Sequence, residues 1–169
     1  MIPTYLTSKR LILCVADDQA ILNYEQALLE RSGYAVITAM SAEQALRLVT
    51  MCECDAVLLD CEMPVVSGYE VAFQIKNISP DLIIILLSGS EVPTHALVLV
   101  DAVVHKLDAS RQLLPLIAEL CAYTQDARQK QADVSLQIGD DFSRPSPRVF
   151  SEYDLCRLQL PSQKREEDS

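Results

Sequence analysis

The chain has 169 residues, with 24 Asp and Glu against 14 Lys and Arg, so its formal net charge is −10 at pH 7. Direct binding to nucleic acid relies on clustered basic residues, which this acidic sequence lacks. The apolar run LILCVA is cut to six residues by Asp17 and Asp18, too short for a signal peptide or a membrane span, and we expect a cytoplasmic protein.

Apolar runs alternate with segments of helical periodicity five times between residues 10 and 123, which predicts an α/β fold. The runs are typical of buried parallel strands, and right-handed crossovers between them predict a three-layer sandwich around a five-stranded sheet. Helix signals include Gly33 and a capping box of Ser41 with Gln44. The predicted strands cover residues 11–16, 35–39, 56–59, 82–87 and 102–105, and the first and last helices cover 19–32 and 110–123.

Two prolines affect the last two predicted helices. Pro93 and the short stretch to Val100 leave room for a fourth helix of about two turns that starts at proline. Pro115 removes a backbone hydrogen bond from the fifth helix, so we expect that helix to begin late or to bend there.

The composition divides the chain into an N-terminal extension (1–9), one domain (10–124) and a C-terminal tail (125–169). Apolar periodicity fades in the tail, where SRPSPR and QKREEDS are typical of disorder. Apolar residues between 134 and 160 are too few for a second domain. They would suffice to dock on the first domain or on a partner.

Polar residues stand where four of the predicted strands end. Asp17 and Asp18 follow the first strand, Asp60 the third, Ser88 the fourth and Lys106 the fifth. Because parallel strands end at one edge of their sheet, we expect these five side chains to meet there.

Three carboxylates at one edge repel each other by about 1 to 4 kcal/mol per pair at 4 Å, and a cation would relieve that repulsion. Oxygen ligands without His or Cys favour Mg²⁺ with several retained waters. Asp60 is the predicted nucleophile, since a carboxylate can attack a phosphoryl group to give an acyl phosphate. Lys106 would neutralise charge on that group, and Ser88 would donate its hydroxyl to it.

The segment AVLLDCEMPVVSG places Met63 and Pro64 three and four residues after Asp60, and Gly68 eight residues after it. With the acid pair, the serine and the lysine in order, it resembles the receiver domain of bacterial two-component response regulators, similar to the stand-alone chemotaxis type. The resemblance covers residues 10–123.

The resemblance implies a flavodoxin-like, doubly wound sheet in the order 2-1-3-4-5. It implies phosphorylation of Asp60 by a histidine kinase or a phosphotransfer protein. Mg²⁺ would be held directly by Asp18 and Asp60, through water by Asp17, and by the backbone carbonyl of Glu62. The Glu62 side chain lies where family members vary, and it would tune loss of the phosphoryl group.

The sequence departs from the family pattern near its fifth strand. Val103 replaces the usual Tyr or Phe of the switch, Leu107 replaces a proline after the lysine, and the stretch from 88 to 106 is short. These changes leave the chemistry of the pocket intact. They affect the usual readout through the fourth helix and the fifth strand and helix.

The expected function is a phosphorylation switch that catalyses only its own phosphorylation and dephosphorylation and contacts an unidentified downstream protein. The acidic tail is too short for a helix-turn-helix, so we expect no DNA-binding output domain. One alternative is a constitutive interaction module or phosphate sink that keeps the acceptor but lacks the aromatic switch. Another is a haloacid-dehalogenase-like phosphatase, but such enzymes need an aspartate where Glu62 stands.

The cysteines and histidines are assigned no catalytic role. The six cysteines show no Cys-x-x-Cys spacing, which favours reduced, mostly buried thiols. Cys61 should point away from Asp60 and pack, because neighbouring residues of a strand face opposite sides. His95 is expected on the short fourth helix, and His105 should face away from Lys106.

Overall fold

A computed structural model describes the backbone of residues 9–137 and the side chains of residues 9–124. The predicted N-terminal extension, apart from its last residue, and the docking segment beyond residue 137 lie outside the described residues. Within the described part of the chain, no helix combines the length and the apolar character needed to cross a membrane.

Five parallel strands form a single sheet in the order β2-β1-β3-β4-β5, which confirms the predicted fold. Every residue of the three central strands is buried, because helices cover both faces of the sheet. The predicted strand bounds were correct to within one residue. The strands are β1 (Leu11–Val15), β2 (Ala35–Ala39), β3 (Ala56–Asp60), β4 (Ile83–Ser88) and β5 (Ala102–His105).

The helices form one layer on each face of the sheet, so the protein has two apolar cores. Alternate residues of each strand point to opposite cores: Leu13 belongs to the α2/α3 side, and its neighbour Cys14 to the α1/α5 side. The helices are α1 (Gln19–Arg31), α2 (Ala42–Met51), α3 (Gly68–Ile78), α4 (Thr94–Leu97) and α5 (Ala109–Gln137).

Local sequence signals set the ends of α1. Asp18 is the N-cap, and its carboxylate accepts a 2.7 Å hydrogen bond from the N–H of Ala20. At the other end Gly33 adopts φ 91°, and the N–H groups of Gly33 and Tyr34 donate to the carbonyls of Glu30 and Leu29. This pattern is a Schellman motif, which glycine permits because it has no Cβ.

The last two helices differ from their predicted bounds. Helix α4 has four residues, so it is shorter than the two turns expected after Pro93. Two outcomes were expected at Pro115, a late start of α5 or a bend. The late start is wrong, because the helix begins at Ala109, six residues before Pro115, and includes that proline. The bend stays a prediction. Burial of Leu113 and Ile117 against the sheet offsets the backbone hydrogen bond that Pro115 cannot make. The helix continues to Gln137, past the predicted domain boundary at residue 124.

Candidate functional site

Strand register brings the predicted site residues to one edge of the sheet. Val15 pairs with Leu59, so Asp60 lies beside the end of β1, just before the acid pair that follows this strand. Asp60 itself pairs with Leu87, which places Ser88 one residue beyond it on the neighbouring strand. Ser88 is paired in turn with the last residue of β5, directly before Lys106.

Asp60 is buried and carries an ion pair. Its side chain is only 3% exposed, and the ammonium of Lys106 lies 2.8 Å from its Oδ1 atom. The N–H of Glu62 donates to the same oxygen at 2.9 Å. A buried carboxylate needs such partners because the loss of hydration is otherwise costly. The protein therefore keeps one acidic side chain at the end of the central strand β3, held by a cation.

Lys106 bridges two carboxylates. Besides Asp60, its ammonium contacts Oε2 of Glu62 at 2.7 Å. Burial by itself would lower the pKa of Lys106, but its hydrogen bonds to Asp60 and Glu62 raise that pKa above the usual value. The hydrogen bond from Lys106 is also the main reason that the pKa of Glu62 is lowered. The lysine is thus held in its charged form at the pocket.

The Glu62 side chain also contacts the loop after β4. Its Oε1 atom accepts from the N–H of Gly89 at 2.9 Å and from the hydroxyl of Ser90 at 3.0 Å. The Ser88 hydroxyl lies 3.5 Å from the same oxygen. These contacts join the loop that follows β3 to the loop that follows β4.

The buried Ser88 hydroxyl is directed mainly at its own loop. It donates to the carbonyl of Ser90 at 2.8 Å and accepts from the N–H of Ser90 at 3.2 Å. A hydroxyl has one hydrogen, so the longer contact to Glu62 is the weaker one. Ser88 therefore places a hydroxyl donor on the strand beside Asp60, one residue beyond the residue that pairs with it.

Gly68 explains the spacing of eight residues after Asp60. Its N–H donates to the carbonyl of Cys61 at 3.0 Å, so the start of α3 packs directly on the end of β3. A Cβ at this position would overlap the carbonyl oxygen of Asp60 and come within 2.9 Å of the Cα of Cys61. Only glycine fits without a backbone shift.

The acid pair after β1 is exposed, and Asp18 also serves as the N-cap of α1. No group of three or more His, Cys, Asp or Glu side chains in the described part of the chain is placed to hold a metal ion by itself. Mg²⁺ commonly uses one or two carboxylates and several waters, so Asp18 and Asp60 at neighbouring strand ends fit it as a donor set. A closed cage made only of protein ligands does not fit.

Glu25 was missed by the sequence analysis. It is only 5% exposed, lies between Leu22 and Leu29 on the buried face of α1, and accepts a hydrogen bond from the Cys14 thiol. Its Oε2 atom has no partner among the described residues. Burial raises the pKa of Glu25 to about 7, the charge of Asp60 acts in the same direction, and Cys14 and Lys106 oppose it. Leu22, Glu25 and Leu29 have the spacing of one helix face, so the sequence did contain a signal that Glu25 faces the core.

The departures from the family pattern lie near β5 and are partly exposed. Val103 is 37% exposed, and Leu107 is 84% exposed in a single 3₁₀ turn (Lys106–Asp108) before α5. The N–H of Leu107, which a proline would lack, donates to Nδ1 of His105 at 3.3 Å.

The cysteine prediction is confirmed for the described residues, in which all the cysteines are free and all but Cys61 are buried. Cys61 is half-buried and packs against the α2/α3 core, as expected from strand alternation. Burial raises the pKa of its thiol. His95 lies on α4 and makes an edge-to-face contact with Tyr69, with ring centroids 5.5 Å apart.

Known proteins of similar sequence include response regulators. The family model for the response regulator receiver domain matches residues 12–107. The alkaline phosphatase synthesis transcriptional regulatory protein PhoP of Bacillus subtilis is 41% identical over 66 residues, which is 39% of this chain and 28% of that regulator. The chain thus spans well under two thirds of the length of this curated relative.

Solved structures of similar fold include receiver domains. A CheY-like receiver domain from Methanospirillum hungatei has a TM-score of 0.66 and 27% identity, covering 71% of this chain and 99% of that one. The response regulator TrrA of Thermotoga maritima, in complex with Mg²⁺ and BeF, has a TM-score of 0.60 and 32% identity, with coverage of 66% and 98%. TrrA is also known in complex with the histidine kinase ThkA, in a structure with a TM-score of 0.61. On sequence, fold and site geometry together, this chain belongs to the response regulator receiver domains of two-component systems.

Proposed function

We propose that this receiver is a phosphorylation switch whose phosphoacceptor is Asp60. The observation that carries the proposal is the buried Asp60 carboxylate, held 2.8 Å from the charged Lys106 at the carboxyl edge of the sheet. A carboxylate in this position has an ammonium beside it that can neutralise an incoming phosphoryl group. Ser88, on the neighbouring strand, supplies a hydroxyl donor for the same group.

The proposed reaction is in-line transfer from a phosphohistidine or from a small phosphodonor. A carboxylate oxygen of Asp60 attacks phosphorus, a new O–P bond forms, and the bond from phosphorus to the imidazole nitrogen breaks. The electron pair of that bond stays on the nitrogen. Hydrolysis later returns the carboxylate: water attacks phosphorus, the O–P bond to Asp60 breaks, and phosphate and a proton are released.

Residues near Asp60 would hold a Mg²⁺ ion. Asp18 and Asp60 would bind it directly, Asp17 through water, and Glu62 through its backbone carbonyl. When bound, the ion supplies positive charge that offsets the charge on the phosphoryl oxygens during transfer. The complex of TrrA with Mg²⁺ and BeF supports the binding of Mg²⁺ by similarity.

The proposed phosphodonor is a histidine kinase or a phosphotransfer protein, in keeping with the complex between TrrA and the kinase ThkA. The phosphorylated receiver would act by contact with a downstream protein. Its catalytic role would be limited to its own phosphorylation and dephosphorylation.

The test is incubation with Mg²⁺ and phosphoramidate, followed by intact mass measurement. The wild type should gain the mass of one phosphoryl group, and Asp60→Asn should gain none, because an amide cannot form the acyl phosphate. Equal labelling of the two proteins would refute the assignment of Asp60.

A second candidate function is a constitutive interaction module that keeps the acceptor but lacks the usual switch. The observations that favour it are the four-residue helix α4 and the valine at position 103. Amide NMR spectra with and without Mg²⁺ and beryllofluoride distinguish the candidates. Shifts in β5 and α5 support the switch, whereas shifts confined to the pocket support the constitutive module.

A further inference from the structure

We infer that the Glu62 side chain is a tethered competitor of the phosphoryl group at the Asp60 pocket and must leave before a phosphoryl group can bind. The inference rests on the proposed phosphorylation of Asp60 and adds a regulatory residue to that site.

The first argument is that Glu62 uses the donors that a phosphoryl group needs. One carboxylate oxygen takes the ammonium of Lys106 at 2.7 Å, and the other takes the N–H of Gly89 at 2.9 Å and the hydroxyl of Ser90 at 3.0 Å. An ammonium, a backbone N–H and a hydroxyl are the usual donors to phosphoryl oxygens. A carboxylate presents anionic oxygens of the same kind.

The second argument is position. Glu62 lies two residues after Asp60, and its N–H is bonded to the acceptor carboxylate at 2.9 Å. Its side chain returns to the same ammonium that contacts Asp60, so the two carboxylates share one lysine nitrogen. A phosphoryl group attached to Asp60 would need that nitrogen.

The third argument is that the side chain lies directly against the loop after β4. A Cβ at Gly89 would come within 3.2 Å of Oε2 of Glu62, so the carboxylate packs on the backbone of this glycine. This backbone segment directly follows Ser88, the other predicted phosphoryl contact. Glu62 therefore occupies both Lys106 and the backbone that follows Ser88, where the phosphoryl oxygens would bind.

The competitor is displaceable. The Glu62 side chain is 41% exposed, and ion pairs with such exposure are weak because water screens them. A phosphoryl group has more negative charge than a carboxylate, so it can take over the same donors and send Glu62 into solvent. The contact would then set how readily the receiver is phosphorylated without preventing the reaction.

The experiment compares wild type with Glu62→Gln, Glu62→Ala and a matched control, Glu91→Gln. Glu91 is an exposed acid on the loop after β4 and has no part in the contacts above, so its loss tests a general effect of charge. The measured quantities are the affinity for beryllofluoride in Mg²⁺, followed by the Gly89 amide resonance, and the rate of labelling by phosphoramidate.

Glu62→Gln should bind beryllofluoride roughly tenfold more tightly than wild type and label faster, since a neutral amide holds the lysine less well. Glu62→Ala should do the same, and Glu91→Gln should match wild type. The inference is overturned if both Glu62 variants bind no more tightly than wild type, or if Glu91→Gln gains as much as they do. If Asp60→Asn labels as well as wild type, the proposed function itself fails, and the inference fails with it.

Discussion

The ammonium of Lys106 lies 2.8 Å from Oδ1 of Asp60, a carboxylate that is buried at the end of β3. This pair concentrates one positive charge on the single buried acid at the carboxyl edge of the described sheet. It also explains why Lys106 stays charged, although burial alone would lower its pKa. The pair and the residues around it lead to predictions for Lys106, Glu25, Gly68 and Cys61.

Lys106→Met should weaken binding of beryllofluoride roughly 10²-fold, because it removes the charged donor to the phosphoryl oxygens. The matched control is Lys76→Met, since Lys76 also makes an ion pair, to Asp101 at 2.9 Å, near the start of β4 and away from the pocket. Titration of both variants in Mg²⁺ measures the effect. Equal affinities of the two variants would contradict the role of Lys106.

Glu25 should make stability depend on pH. Its pKa is about 7 in the folded protein and 4.5 in the reference state, so the folded protein holds the proton more tightly. The resulting stabilisation is complete below about pH 4.5 and is lost as pH rises to about 7, a change of about 3 kcal/mol. Glu25→Gln stays neutral at every pH. Its free energy of unfolding minus that of the wild type should therefore be larger at pH 8 than at pH 5.

Urea unfolding at the two pH values measures this difference. Asp60, Lys106 and Cys14 are the groups that act on Glu25, and they are present in both proteins. Glu30→Gln, an exposed change on the same helix, is the control for the loss of a negative charge from α1. If the difference in free energy of unfolding between Glu25→Gln and wild type is the same at both pH values, Glu25 does not titrate in this range.

Gly68→Ala should destabilise the protein by about 1–3 kcal/mol, because its Cβ would overlap the backbone of Asp60 and Cys61. It should also slow labelling by phosphoramidate, since the acceptor backbone must shift. Gly33→Ala is the comparison: its φ of 91° makes alanine unfavourable, but no atom lies within 4 Å and the pocket is distant along the chain. It should lose stability and label normally. Normal labelling of Gly68→Ala would contradict the packing argument.

Cys61 should be a poor redox sensor in spite of its position next to Asp60. Burial raises the pKa of its thiol, and the thiolate is the reactive form. Alkylation at pH 7, mapped by mass spectrometry, should therefore be slow in the native protein and fast after unfolding. Cys61→Ser should be labelled by phosphoramidate as wild type is. Rapid alkylation of the native protein would contradict the low reactivity of the thiol. Loss of labelling in the serine variant would show that the thiol acts in the phosphorylation of Asp60.

Most of the fold was predictable because its signals are local. Uninterrupted apolar runs identified β3 and β4 as buried strands, and parallel pairing then placed Asp60, Ser88 and Lys106 at one edge. The length of α5 was not predictable from an apolar stripe. Residues after Tyr123 are largely polar, and a proline stands inside the helix.

Two features of the site depended on tertiary contacts. Glu25 has the spacing of a core residue, but a carboxylate on a helix is usually read as part of the solvent face. For Glu62, the family resemblance implied a backbone ligand and a side chain that tunes loss of the phosphoryl group, but it did not indicate what the side chain contacts. The Glu62 side chain can contact Lys106 and Gly89 only because the loops after β3 and β4 lie side by side. That arrangement follows from the pairing of the two strands and cannot be read from residue spacing.

Phosphorylation of Asp60 is tested most directly by locating the phosphoryl group itself. Wild-type protein labelled in Mg²⁺ is treated with borohydride, which reduces an aspartyl phosphate to homoserine, and is then digested and sequenced by mass spectrometry. Homoserine is expected at position 60, and unmodified aspartate is expected at positions 17 and 18. Homoserine at another acidic residue, or a stable phosphate ester elsewhere with Asp60 unchanged, would contradict it.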